Sequence, residues 1–369
     1  NLKIIETGTA KEFTNDNSLN WIKESDAIKI LEDNPKQILY SNSENSINWV
    51  EKNLTNTVLP EKIKLFKDKI LFRYLLKEDY PDFFYLGINY KDIRSMDPNQ
   101  LTYPFILKPA VGFFSIAVHK VNSVEEWYSV LDEIDIEISK LKTAYPREVL
   151  DATNFIIEEI IPGDEYAVDC FFNDEGKAVI LNIMKHEFSS EDDVYDRVYS
   201  TSKEIILNNY TIINEFINKI GEKTRVRNFP AHIELRIDSH RNINAIEVNP
   251  MRFGGWCTSA DLSWHAYQLN TYEYVVNSKT PDWDKILNDK DGKKYSLIVL
   301  NNSSGIKEEN IKSFDYDRLL KDFSKPLEIR ETDYLKFTIF GFLFLETDEK
   351  TEDELSEILN SDLKKYIIL

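Results

Sequence analysis

The chain is short of cysteine, glycine and positive charge. Its 369 residues include 2 cysteines, 11 glycines and 12 prolines, and 64 acidic residues outnumber 45 basic ones to give a net charge of −19. The cysteines, Cys170 and Cys257, lack CxxC spacing, which argues against a disulfide framework and indicates a reducing compartment. The scarcity of glycine and proline excludes collagen-like and low-complexity structure. The acidic balance argues against nucleic acid and anionic membranes as partners, because both attract cationic surfaces.

Long apolar runs and targeting signals are also lacking. The most apolar segment, at 335–346, is too short to span a bilayer, and residues 1–6 do not resemble a signal peptide. No GxGxxG follows a predicted strand, so a dinucleotide site is not supported. We therefore expect a cytoplasmic globular protein of two or three domains.

The pattern along the chain alternates between helices and strands and indicates a mixed α+β or α/β class. Helices are predicted at 20–32, 61–77, 123–142, 203–220, 258–278 and 351–366, and strands at 37–40, 105–108, 116–121, 155–158, 165–172, 177–184, 232–237, 243–248, 294–301 and within 328–346. We take Pro109 as the end of one strand, Gly221 as a helix C-cap and 173–176 as a hairpin turn. The segment from about 285 is expected to form a separate small α+β unit.

Three oxygen donors near 247 are the most informative group. Glu247 and Asn249 lie two apart on a predicted strand, so their side chains leave the same face. Glu234 lies on the preceding strand, which we expect to be the neighbour. Two carboxylates and an amide oxygen suit Mg²⁺ shared with nucleotide phosphates. The alternative is a solvated strand face. His232, two residues before Glu234, is interpreted as structural because the histidines lack a metal-ligand spacing.

Lysines and glutamates upstream add a candidate nucleotide site. Lys108 ends a strand before the loop 109–115, where a lysine and loop amides can hold a phosphate, and Lys185 is a second such candidate. Glu158 and Glu165 can accept hydrogen bonds from an adenine amino group or ribose hydroxyls. Solvated lysines and an acidic loop at a sheet edge are the alternatives.

Taken in order, these elements resemble the ATP-grasp superfamily of carboxylate–amine ligases over about residues 62–275. The landmarks are 68–69, 105–109, 157–165, Lys185, Glu234 and 247–249. The resemblance implies an ATP-grasp fold in which two α+β subdomains clamp ATP, with a short N-terminal α/β domain and a C-terminal α+β appendage. The implied boundaries are 1–62, 63–153, 154–280 and 281–369.

The resemblance also implies a role for each site residue. Residues that would bind ATP are Lys69, Lys108 and Lys185 at the phosphates, Ser115 in the mobile loop 110–115, Glu158, Glu159 and Ile161 around adenine, and Glu165 at the ribose. Residues that would bind Mg²⁺ or Mn²⁺ are Glu234, Glu247 and Asn249. Lys185 and Arg252 would act in catalysis, with Arg252 steadying a substrate carboxylate or acylphosphate. Met251 stands between Pro250 and Arg252, where many members have asparagine–proline–arginine.

The implied activity is ATP-dependent joining of a carboxylate to an amine or thiol through an acylphosphate. Phosphoryl transfer depends on positioning and charge neutralisation, so no protein nucleophile is needed. The partners would be ATP and small-molecule or peptide substrates, and a homodimer is allowed. A kinase that phosphorylates a hydroxyl and a nucleotide-binding regulatory module without turnover are the alternatives.

Overall fold

The structure is a computed structural model that describes residues 2–14, 16–43, 46–112, 117–141, 151–188 and 197–369. Its first part contains β1 (Ile4–Ile5), α1 (Gly8–Phe13), β2 (Trp21–Ile22), α2 (Glu24–Asp33) and α3 (Ser46–Asn53). The predicted strand at 37–40 is not formed. Instead these residues pack on the large core described below, where Tyr40 contacts Phe253. Burial of their apolar side chains against the core replaces strand pairing.

The predicted helix 61–77 is two helices, α4 (Leu59–Lys67) and α5 (Lys69–Leu76). Asp68 separates them because its backbone is extended and its carboxylate accepts the Ile70 and Leu71 N–H groups. This is an N-cap within the chain, where a short acceptor side chain competes with helix continuation. The break places Lys69 at the first position of α5, and Arg73 follows on the same face one turn later.

The smaller sheet has the strand order β3-β6-β4-β5 and is antiparallel. Its elements are β3 (Tyr85–Asn89), α6 (Tyr90–Ile93), β4 (Phe105–Val111), β5 (His119–Val121), α7 (Trp127–Leu141) and β6 (Asp151–Glu159). Trp127 of α7 and Phe105 of β4 are fully buried between helix and sheet. The prediction that Pro109 ends the strand is wrong: β4 continues to Val111 through an irregularity between Pro109 and Val111. A bulge tolerates a residue without an N–H group.

The larger sheet has eight strands within the described residues, in the order β11-β10-β7-β8-β9-β12-β15-β14. The strands and helices in this part of the chain are β7 (Asp164–Phe172), β8 (Ala178–Glu187), β9 (Val198–Ser202), α8 (Lys203–Thr224), β10 (Phe229–Ile237), β11 (Ile243–Pro250), α9 (Thr258–Tyr267) and α10 (Thr271–Val276). The predicted hairpin between β7 and β8 is confirmed, and the Asn173 side chain accepts the Glu175 and Lys177 N–H groups in its turn. Helix α8 lies against β8 and buries Ile213 and Ile217.

Two helix boundaries differ from prediction. Gly221 lies inside α8, which ends at Thr224 with Arg225 as its left-handed cap (φ 54°). Gly221 is needed there for close packing, since a Cβ atom would lie 2.9 Å from the Gly176 carbonyl oxygen. The predicted helix 258–278 is divided into α9 and α10 by Gln268, which has φ 54°.

The last part contains α11 (Trp283–Ile286), β12 (Lys294–Asn301), β13 (Ser313–Phe314), α12 (Tyr316–Lys321), β14 (Pro326–Glu331), α13 (Tyr334–Phe337), β15 (Ile339–Thr347), α14 (Asp353–Leu359) and β16 (Ile367–Ile368). Strands β12, β15 and β14 continue the larger sheet, so the expected separate unit shares its sheet with the preceding subdomain. It retains a core of its own that includes Phe314, Phe340 and Tyr366. In the portion of the chain that is described, no helix is both long and apolar enough to cross a membrane.

Candidate functional site

Helix α5 directs two cations towards carboxylates on different sheets. The Lys69 Nζ atom lies 2.6 Å from Glu247 Oε2 on β11 of the larger sheet. One turn later, Arg73 Nε donates to Glu158 Oε2 on β6 of the smaller sheet at 2.7 Å. All four side chains are largely buried. The face of α5 created by the break at Asp68 therefore joins the two sheets through charge pairs.

Glu158 lies at the centre of the first charge cluster. Lys108 Nζ on β4 lies 2.6 Å from its Oε1, and Arg73 reaches both of its oxygens, at 2.7 and 3.2 Å. The same guanidinium donates to the carbonyl groups of Ala245 (2.6 Å) and Ile246 (3.3 Å) on β11. Arg73 thus ties the end of β6 to the strand that carries Glu247.

Opposite charges decide the ionisation of this cluster. Burial raises the pKa of Glu158, but Lys108 and Arg73 outweigh burial and hold that pKa at about 2. Burial lowers the pKa of Lys108, and the neighbouring Glu158 opposes that shift. The buried carboxylate is therefore ionised at neutral pH and is neutralised by cations from α5 and β4.

The three predicted metal ligands are brought together by the pairing of β10 with β11. Glu234 lies directly opposite Glu247, and the register shifts immediately after Glu234. Asn249 Nδ2 donates to Glu247 Oε1 at 2.9 Å and lies 3.4 Å from Glu234 Oε1. The expected proximity is confirmed; a metal-binding role stays a prediction.

The donor set of this trio fits a hard divalent cation. The Lys69 ammonium and the neutral Asn249 amide N–H group both donate to Glu247 within it. Rotation of the Asn249 amide by about 180° would turn its oxygen to the same side as the carboxylates. No group of three His, Cys, Asp or Glu side chains within the described ranges could hold a metal ion, so a metal site at this place would have to include the Asn249 amide oxygen. Burial raises the pKa of Glu247, yet Lys69 and Lys67 hold that pKa well below its usual range.

A second group of charged residues includes Glu165, at the start of β7, and Lys185 on the neighbouring strand β8. Glu165 accepts from His186 Nδ1 at 2.9 Å and from Arg236 Nε and Nη2, both at 3.0 Å. Burial raises the pKa of Glu165, and the His186 and Arg236 contacts bring it below its ordinary value. Lys185 pairs with Asp164 at 3.0 Å and opposes Tyr166 on β7. The contacts of this group are distinct from those of the Glu158 cluster.

The remaining predicted nucleotide residues lie around the connection from β6 to β7. The Ile161 carbonyl accepts from Arg236 Nη1 at 2.9 Å, and the Glu159 side chain is exposed while its N–H donates to Phe84. Ser115 lies outside the described residues, together with 113 and 114 of the loop 110–115. At the described edge of that loop, Lys67 Nζ lies 3.5 Å from the Gly112 carbonyl oxygen.

Arg252 lies in a turn with unusual backbone conformation. We call residues 251–257 the metal-strand turn, because they follow β11, the strand that carries the predicted metal ligands Glu247 and Asn249. Met251 adopts φ 66°, its N–H donates to Pro230, and its carbonyl accepts from Ser41, both at 2.8 Å. Arg252 is mostly buried, and its Nη1 donates to the Phe253 carbonyl at 2.7 Å. Met251 thus adopts a left-handed conformation with its side chain buried.

Sequence reasoning missed several charged residues of the site. Arg73 and Arg236 contact the predicted site residues Glu158 and Glu165. Lys67 lowers the pKa of Glu247, and Asp169 contacts His232, which is interpreted above as structural. Arg73 had a usable signal, because it lies four residues after Lys69 on a helix and therefore shares its face. The contacts of Asp169 and Arg236 depend on the register between strands, and the local sequence does not indicate that register.

Comparison with known proteins identifies the architecture. Residues 101–260 match a family model described as ATP-grasp domain. No curated protein matches the chain. Among solved structures, the L-amino acid ligase from Bacillus licheniformis has a TM-score of 0.64 at 16% identity, over 96% of this chain and 85% of that chain.

Two further solved structures share the architecture. N5-carboxyaminoimidazole ribonucleotide synthetase from Thermotoga maritima has a TM-score of 0.59 at 15% identity, over 93% of this chain and 84% of that chain. Biotin carboxylase from Campylobacter jejuni has a TM-score of 0.56 at 13% identity, over 84% of this chain and 69% of that chain. These similarities confirm the predicted fold.

Proposed function

Because residues 101–260 match an ATP-grasp domain model and the chain shares the fold of ATP-grasp ligases, we propose that it is an ATP-dependent ligase joining a carboxylate to an amine or thiol. The observation that carries the proposal is the convergence of Lys69 with the trio Glu234, Glu247 and Asn249, beside Lys108. This arrangement offers cations for phosphate oxygens and oxygen donors for a divalent metal. Such groups supply the charge neutralisation on which phosphoryl transfer depends.

The metal trio would hold Mg²⁺ or Mn²⁺. When bound, the ion would neutralise charge on the phosphates. Lys69 and Lys108 would bind phosphate oxygens from the side of α5 and β4, and Lys185 would reach the terminal phosphates. The ammonium of Lys69 pairs with Glu247, so it would exchange this carboxylate for a phosphate when the nucleotide binds.

The nucleoside would lie near the connection between β6 and β7. Glu165 would accept the ribose hydroxyl groups, and the backbone from Glu159 to Ile161 would read the adenine edge. A contact of Glu158 with the adenine amino group stays a prediction. This carboxylate already accepts three hydrogen bonds from Arg73 and Lys108.

The proposed reaction has two balanced steps. A substrate carboxylate oxygen attacks the γ-phosphorus of ATP, the bond to the β-phosphate oxygen breaks, and ADP leaves. The amine nitrogen then attacks the acyl carbon, inorganic phosphate leaves, and the nitrogen loses a proton. Arg252 would bind the carboxylate or the acylphosphate oxygens, for which a guanidinium is suited.

The proposal also covers the substrates and the domain organisation of the chain. L-Amino acids are the first acids and amines to test, because the ligase from Bacillus licheniformis shares the fold over 96% of this chain. The domain limits 1–62, 63–153, 154–280 and 281–369, a homodimer and a cytoplasmic location are kept as predictions.

A matrix of acids and amines tests the activity. Each pair is incubated with Mg-ATP, and release of ADP and phosphate is measured with mass spectrometry of the product. Phosphate release that requires both substrates, together with a condensed product, supports the ligase. A stable phosphorylated hydroxyl compound would instead identify a kinase, and Mg-ATP binding without turnover across the matrix would identify a binding module.

A further inference from the structure

A row of polar side chains crosses the larger sheet beside the metal trio. Asn249 on β11 pairs with His232 on β10, and His232 pairs with Asp169 on β7. Asp169 in turn pairs with Asn182 on β8. Neighbouring strands lie about 4.8 Å apart, so side chains in such a row are in reach of one another. The row leads from a predicted metal ligand into the buried interior.

Asp169 is the centre of this row. Its side chain is completely buried, and its Oδ1 accepts from His232 Nδ1 at 2.7 Å and from the Gly254 N–H at 3.1 Å. Its Oδ2 has no hydrogen-bond partner among the described residues. A buried carboxylate with one unsatisfied oxygen is costly for folding, so stability alone is a poor explanation for it.

His232 carries the effect of Asp169 to the metal trio. Because the Asp169 carboxylate accepts at Nδ1, the orientation of the imidazole is defined. The opposite nitrogen, Nε2, lies 3.6 Å from Glu234 Oε1. The ring therefore limits the positions that the Glu234 carboxylate can adopt, while it borders Asn249 on the neighbouring strand.

The other bond of Asp169 fixes the metal-strand turn. The Gly254 N–H is shared between Asp169 and Ser259 Oγ, the latter at 2.7 Å. A Cβ atom on Gly254 would lie 3.2 Å from His232 Cε1 and 2.5 Å from Ser259 Oγ. The turn thus packs directly on the histidine.

The backbone of the turn needs such restraint. Met251, Trp256 and Cys257 have φ of 66°, 58° and 62°. Conformations of this kind cost free energy outside glycine, persist only where the surroundings enforce them, and concentrate at functional sites. Arg252 lies within this strained segment, and the bond from Gly254 to Asp169 is one of the contacts that hold it.

We propose that Asp169 and His232 are positioning residues that hold Glu234 and the metal-strand turn in a single geometry, so that the metal site and Arg252 are formed together. This inference rests on the proposed function for the role of the metal and of Arg252. Asp169 itself would not contact the substrate. Substitution of a residue that positions a metal ligand commonly lowers metal affinity or activity by about 10- to 100-fold.

The test measures Mn²⁺ binding by electron paramagnetic resonance in the full chain, with and without ADP, and does not depend on turnover. Asp169→Ala removes the shared acceptor and is expected to weaken Mn²⁺ binding about 10- to 100-fold. Asp169→Asn keeps one acceptor oxygen and is expected to restore much of that loss. Cys170→Ala is the matched control, because Cys170 is the adjacent buried residue on β7 and its side chain lies on the opposite face.

Two substitutions of His232 test the roles of its two ring nitrogens separately. His232→Asn keeps a donor near the Nδ1 position, whereas His232→Gln keeps a polar group near the Nε2 position. We expect the Asn variant to lose Mn²⁺ affinity while the turn stays ordered. The Gln variant should lose the bond to Asp169 and, once substrates are found, lower kcat more than it raises the Mg²⁺ requirement.

The outcomes distinguish this inference from the proposed function. Mn²⁺ affinity that is unchanged in Asp169→Ala, with a control-like Tm, overturns the positioning role and leaves the ligase proposal intact. Equal losses in Asp169→Ala and Cys170→Ala reduce the effect to core packing and also overturn it. If the unmodified chain does not bind Mn²⁺ even with ADP, both proposals fail. Altered Mn²⁺ affinity in a chain that turns over no substrate pair supports positioning and rejects the ligase.

Discussion

Replacement of Lys69 by methionine should move the affinities for metal and nucleotide in opposite directions. The Lys69 ammonium lies 2.6 Å from Glu247 Oε2, with only 7% and 15% of the two side chains exposed. A divalent ion that approaches Glu247 must displace this ammonium or bind against its repulsion. Without nucleotide, Lys69→Met is therefore expected to bind Mn²⁺ more tightly than the unmodified protein.

The size of the effect follows from the contact that is lost. A hydrogen bond to a charged group contributes about 1.5–3 kcal/mol, and about 1.4 kcal/mol corresponds to a factor of ten in affinity. The gain in Mn²⁺ affinity should therefore be about 10- to 100-fold. Affinity for ATP should fall by a similar factor of about 10 to 100, because one phosphate cation is removed.

The assay is titration of Mn²⁺ by electron paramagnetic resonance and of ATP by calorimetry. Lys64→Met on α4 is the matched control, because Lys64 is exposed and its loss changes net charge equally. Lys69→Met also leaves Glu247 as an unpaired buried carboxylate, so Mn²⁺ should raise its Tm more than that of the control. Unchanged or weaker Mn²⁺ binding in Lys69→Met would refute the competition between lysine and metal.

Three further outcomes are expected. Glu247→Gln should lower metal-dependent turnover by orders of magnitude while its amide oxygen keeps a bond to the lysine; unchanged kinetics would remove Glu247 from the metal site. Glu165→Ala should raise the KM for ATP more than it lowers kcat, because a ribose contact mainly stabilises the ground state; a kcat-only effect would contradict the ribose assignment. Glu158→Gln should lower the free energy of unfolding by about 3–5 kcal/mol, because it unpairs buried cations, whereas Glu159→Gln should change it little in the same denaturation experiment. The pKa of Glu158 is about 2, against an ordinary 4.5. The ionised carboxylate therefore stabilises the folded protein fully above pH 4.5, and this stabilisation is lost as the pH falls towards 2. The free energy of unfolding of Glu158→Gln, measured in urea, should depend less on pH in that window.

The pairing of β10 with β11 could be predicted because it is local. Residues 238–242 form a short polar turn between β10 and β11, and a short turn forces antiparallel neighbours. Once the strands pair, Glu234 and Glu247 meet. The same reasoning places Asn249 on their face, two residues further along β11.

Contacts between distant segments could not be predicted in this way. Arg73 and Glu158 are 85 residues apart, and His232 and Asp169 are 63 residues apart. Arg73 reaches Glu158 from a helix, and His232 meets Asp169 across the regular pair of β10 with β7. Because hydrophobic alternation has a period of two, it specifies which face a residue takes but not which residue it meets on a strand distant in sequence.

The two cations of α5 are suited to different tasks because their side chains differ. Arg73 is held as a planar fork by both oxygens of Glu158 and by the Ala245 and Ile246 carbonyl groups. Breaking that set would leave several buried groups unsatisfied, so the bond between the sheets should persist when ligands bind. Lys69 presents a compact charge on a flexible chain, and transfer of that charge from Glu247 to a phosphate keeps it paired. We therefore expect nucleotide and metal to bind cooperatively, since the phosphate that takes up Lys69 also frees Glu247 for the metal.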